Sequence, residues 1–158
     1  MVRVFIDELG TGHKDIYLKV DNSPEYFEVG DSYYFRVNID QKEDFVFSQS
    51  IKEFIENWER HIKKIKKKQV VFLPFGIYDQ SIRGLKIESI NVFGKQDILF
   101  MEIGYISEGA YGNSSDFDLF NWWDEIKRKF IKDKGADWLI SKQSFLEGIK
   151  WSIEKLDK

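Results

Sequence analysis

The feature that most constrains this chain is the order in which its apolar periodicity changes. The first fifty residues alternate with the period of two that a half-buried strand requires. At Ser50 the period switches to that of a helix, and after Lys68 strand-like runs return, with helical spacing resuming only near Leu119. Strands, one helix, strands, then two helices is the order of an antiparallel α+β domain; alternating βαβ units would interleave the two kinds of element.

The expected strands are Val2–Ile6, Ile16–Val20, Tyr33–Ile39, Phe45–Phe47, Gln69–Phe75, Leu85–Phe93 and Asp97–Ile106. The last is apolar on both parities, as a strand covered on both sides is, so it belongs in the middle of the sheet. Gly94 within residues 91–96 should turn one strand back into the next.

Ile51, Phe54, Ile55, Trp58, Ile62 and Ile65 recur at helical spacing. This predicts an amphipathic helix from Ser50 to about Lys67, with Ser50 and Glu53 as its capping box. Leu119, Phe120, Trp123, Ile126, Phe130 and Ile131 predict a second helix, ended by Gly135. A third is expected from about Ser144 to Leu156, opened by Ser144 and Glu147. The whole is read as one domain over residues 1–158, an antiparallel sheet of about six strands packed against three helices.

Several chemistries lack their residues. Without cysteine there are no disulfides, thiolate nucleophiles or cysteine-bound metals. There is no nucleophile elbow, and of the two histidines His61 stands in a lysine-rich helix end, where the helix dipole accounts for it. Gly10 and Gly12 lack the third glycine of a dinucleotide loop and read as a turn. Asp116, Asp118, Asp124 and Glu125 lack the spacing of a calcium loop. No catalytic residue, metal or cofactor is therefore expected. The best enzyme-like geometry is a carboxylate pair. If Phe93 faces Asp97 across the turn, Glu88 faces Glu102, and such a pair can divide acid and base roles in a small hydrolase. Opposed like charges are unfavourable in a sheet, however, and the plainer expectation is that both face water or reach Arg83 or Lys86.

Charge is more informative. Residues 1–58 hold 6 basic and 12 acidic groups, and residues 69–125 hold 3 and 9. Residues 59–68 hold 6 basic groups against 1 acidic. With an isoelectric point near 5.5 the chain lacks the overall basic character of a nucleic-acid binder. The lysine cluster reads first as a solvated helix end, with nucleic acid the lesser alternative. No apolar run reaches the roughly 20 residues of a membrane helix, and no secretion signal opens the chain, so a cytoplasmic location is expected.

Aromatic residues make up 16% of the chain. Trp58 and Trp123 fall within apolar stripes, whereas Trp151 stands about 200° from Ile149 at roughly 100° per residue. Tyr111 lies in a Gly/Ser/Asn-rich stretch, and Trp122 at the edge of its stripe. Together with the neighbouring acids, Tyr111, Asp116, Asp118, Trp122, Asp124 and Glu125 form the expected contact surface for another protein. The expected function is non-enzymatic: an immunity- or antitoxin-type inhibitor whose acidic-aromatic surface meets a basic toxin enzyme. Oligomerisation through exposed tryptophans, including a homodimer, is the other option. The abundance of Lys (19, against 5 Arg) and Ile (19) with two Ala fits an AT-rich bacterial or phage genome.

Overall fold

The computed structural model describes residues 1–7, 16–21, 27–30, 47–78, 81–92, 95–107 and 127–156. Within these the protein is α+β, with a three-stranded and a four-stranded antiparallel sheet and two helices. The chain divides into two compact units, residues 1–63 with 143–158, and residues 64–142. The single sheet of about six strands is thus replaced by two sheets. The expected strand at Tyr33–Ile39 lies outside the described residues.

In the first unit, β1 (Val2–Ile6), β2 (Ile16–Val20) and β3 (Phe27–Gly30) pair in that order. The alternation read from sequence holds: Val2, Val4, Ile16, Leu18 and Val20 are buried. Helix α1 (Phe47–Lys64) buries Ile51, Ile55, Trp58 and Ile62, the stripe expected of it. It starts at Phe47, so Ser50 is not its N-cap and Phe47 does not belong to a strand. Helix α2 (Lys142–Leu156) likewise starts before Ser144, and Glu147 accepts a hydrogen bond from Gln143 Nε2 at 2.9 Å.

Helix α2 lies against the edge strand β1. Its buried positions Phe145, Gly148, Ile149 and Ser152 follow helical spacing. The Val4 amide donates to Ser152 Oγ at 2.8 Å, and that hydroxyl donates to the Gly148 carbonyl, also at 2.8 Å. Gly148 is required for this approach, because a Cβ there would overlap the Val2 carbonyl oxygen. Trp151, off the apolar stripe as its spacing implied, is half-buried on the same strand. Phe5 meets it edge-on with centroids 5.2 Å apart, and Arg3 lies 5.2 Å from the ring.

In the second unit, β4 (Val70–Tyr78), β5 (Ser81–Val92), β6 (Lys95–Ser107) and β7 (Phe130–Ser141) form a meander. β6 is an interior strand, as its two-sided apolar pattern predicted. Leu85, Ile87, Leu99, Met101 and Ile103 line one buried face. On the other, Gly84 and Gly104 leave room for Phe72 and Phe130, whose ring centroids are 6.0 Å apart; a Cβ at either glycine would meet one of these rings.

β7 overturns the second predicted helix from Phe130 onward; residues 119–126 lie outside the described ones. Pairing with β6 outweighs a local helical pattern, as tertiary context commonly does. Gly135 adopts the left-handed conformation expected of a helix end (φ 76), but within a bulge. There Asp133–Ala136 stand against the single residue Ile103 of β6.

Candidate protein-binding face

The expected contact residues Tyr111, Asp116, Asp118, Trp122, Asp124 and Glu125 all lie outside the described residues, as do His13, Gly10 and Gly12. The six contact residues belong to the stretch of chain that joins β6 to β7. On the sheet face opposite Leu85 and Ile87, Phe72, Ile82 and Ile106 are buried, while the end that carries Leu139 is partly exposed.

Hairpin register builds this face. The β5–β6 hairpin closes with Val92 opposite Lys95, where Phe93 opposite Asp97 was expected, and a register break follows between Ile90 and Val92. Lys86 therefore faces Glu102, and Glu88 faces Phe100. The Glu88/Glu102 carboxylate pair does not form. The observed register replaces a like-charge pair with an attractive one, the direction cross-strand energetics favours.

Three cross-strand rows result. Ile90, Ile98 and Ser141 form one; Glu88, Phe100 and Leu139 the next; Lys86, Glu102 and Asp137 the third. Ile90, Ile98 and Phe100 are half-buried, whereas Leu139 is 61% exposed. An apolar strip thus lies beside a charged row.

The charged row is closely coupled. Glu102, its side chain only 11% exposed, receives Lys86 Nζ at 2.5 Å and Lys132 Nζ at 3.4 Å. Lys132 also bridges to Asp137 across the bulge. The hydrogen bond to Asp137, with lesser help from Glu102, holds the Lys132 ammonium above its usual pKa of 10.5. Across the sheet, Asp133 pairs with Arg83. Glu102 thus lies between two ammonium groups.

The helical spacing that runs through Phe130 and Ile131 masks the strand that carries Leu139. The signal was present: Ala136, Trp138 and Ile140 alternate with Asp137, Leu139 and Ser141, inward against outward.

Elsewhere, His61 is half-buried on α1. Among the described residues no three of His, Cys, Asp and Glu cluster to hold a metal ion, and no helix is long and apolar enough to cross a membrane. Comparison with protein-family models, with curated proteins and with solved structures finds no match.

Proposed function

We propose that the chain is a non-enzymatic protein-binding domain, an immunity- or antitoxin-type inhibitor of a bacterial toxin that acts in the cytoplasm. The observation that supports a binding role is the exposed Leu139, in line with Phe100 and bordered by Glu88 and the Lys86–Glu102–Asp137 row. An isolated apolar residue on a surface needs no explanation, but an apolar strip with a charged rim fits a partner. The acidic-aromatic segment from Tyr111 to Glu125 supplies the rest of the contact in this reading. Its carboxylates speed encounter with a basic enzyme, and Tyr111 and Trp122 anchor it. The alternative of a small hydrolase loses its geometric basis, because Glu88 faces Phe100 and Glu102 is bracketed by two lysines.

Affinity capture from the native host, with wild type and Leu139→Asp as parallel baits, tests the proposal. A basic protein retained stoichiometrically by wild type and released from Leu139→Asp supports it. Absence of any stoichiometric partner, or equal retention by Leu139→Asp and Trp122→Ala, would overturn it.

A further inference from the structure

The turn between α1 and β4 carries a second surface of opposite character. Lys64, Lys66, Lys67 and Lys68 are all exposed, and none forms an ion pair among the described residues. Lys63, one position earlier, bridges to Glu59. Glu88, beside the strand residue that anchors the turn, pairs with none of the four.

The backbone beneath these lysines is tied down. Lys66 N donates to Gln69 Oε1 at 3.0 Å, and Gln69 N donates to the Lys66 carbonyl at 3.0 Å. Lys68 N donates to the Ser89 carbonyl of β5 at 2.8 Å, and Ser89 N returns a bond to the Gln69 carbonyl at 3.0 Å. The cations therefore project from an ordered turn rather than a loose tail. Lys68 adds an independent observation. Its φ is 62°, a left-handed position where glycine or asparagine fits with less strain. A strained residue that also adds like charge to a crowded group points toward function.

We propose that this turn binds the phosphate backbone of a nucleic acid, in addition to the protein contact proposed above. Four exposed lysines within five consecutive residues concentrate positive charge, and the densest polyanion complements it most. Duplex DNA offers about one charge per 1.7 Å of axis, more than an extended acidic peptide can. The low isoelectric point does not oppose such a local contact. At physiological salt each charge reaches only about 8 Å, so a phosphate strand at the turn meets the lysines rather than the net charge of the chain. The described turn presents no aromatic side chain for base stacking, so the contact is with backbone and indifferent to sequence.

Fluorescence anisotropy with a labelled duplex of about 20 base pairs tests this, titrated between about 50 mM and 200 mM salt. Wild type should bind at the low-salt end. Replacing all four lysines by glutamine should weaken binding at least about tenfold and flatten the slope of log affinity against log salt by about 3.6. Lys68→Gly, which suits the left-handed turn, keeps the test independent of folding and should flatten the slope by about 1. A control in which Lys134, Lys150 and Lys155 become glutamine should bind as wild type does. The proposal is overturned if wild type shows no saturable binding, or if the control loses as much affinity as the turn variant. Binding to phosphatidylserine vesicles without binding to the duplex would overturn it too, assigning the turn to a membrane surface.

Discussion

Val4 of the edge strand β1 donates its amide to the hydroxyl of Ser152 at 2.8 Å, so this amide on the edge of the first sheet is satisfied by a side chain of α2. An uncovered edge is a template for pairing with other chains, and a helix laid along it removes that hazard. Ser152→Ala leaves a buried donor without its acceptor and should cost about 1–3 kcal/mol. Gly148→Ala should also destabilise. Overpacking against backbone costs about 1–3 kcal/mol, more than the roughly 1 kcal/mol that alanine gains over glycine in a helix. Denaturant melts followed by circular dichroism check both; a higher midpoint for Gly148→Ala would mean that α2 does not sit on β1.

Trp58 is 1% exposed in the middle of the α1 stripe, with the Phe54 ring 5.6 Å away. Trp58→Ala should therefore lower stability by about 3–5 kcal/mol. A loss below about 1 kcal/mol in urea unfolding, the range of surface changes, would contradict that burial.

Glu102 ties three strands together through Lys86 and Lys132. A double-mutant cycle on Lys86→Met and Glu102→Gln should give a coupling of about 1–3 kcal/mol, since this pair is largely shielded from solvent. Zero coupling would show the two charges to be independently solvated. Lys132 has a raised pKa in the folded state, so its contribution is fully present below its usual 10.5 and is lost as pH rises beyond it. Lys132→Met should accordingly remove a stability loss seen only on the alkaline side of that value, read from urea midpoints across the alkaline range.

Leu139 is largely in water, so Leu139→Ser should leave the melting temperature nearly unchanged while weakening the captured partner's binding. Asp118→Ala with Asp124→Ala should slow association, more so at low salt, and Trp122→Ala should chiefly speed dissociation. Surface plasmon resonance at two salt concentrations separates these effects. Unchanged rate constants in all three variants would place the contact elsewhere.

Elements whose local pattern and tertiary role agree were legible beforehand. The α1 stripe, the alternation of β1 and β2, and the two-sided apolar pattern of β6 each survive because burial acts on the periodicity that reading detects. β7 was illegible because Phe130 and Ile131 continue a helical spacing, while their pairing with β6 depends on residues far away in sequence. The Glu88/Glu102 pair depended on the hairpin closing at Phe93 and Asp97; closure at Val92 and Lys95 places Glu102 opposite Lys86 instead, one of the contacts expected of it. Leu139 was missed for the same reason as β7. The division of the strands into two sheets was not legible either, since each sheet is assembled by contacts that local periodicity does not encode.

The first unit is built from residues 1–63 and 143–158, with the whole of the second unit between them. This has a consequence for synthesis. At about 5–20 residues per second, the ribosome takes several seconds to pass from α1 to α2. During that interval the outer edge of β1 has no helix to cover it, whereas the meander of the second unit can pair as each strand emerges. The first unit is thus completed last, and the nascent chain is most vulnerable to intermolecular strand pairing just before residues 143–156 leave the exit tunnel.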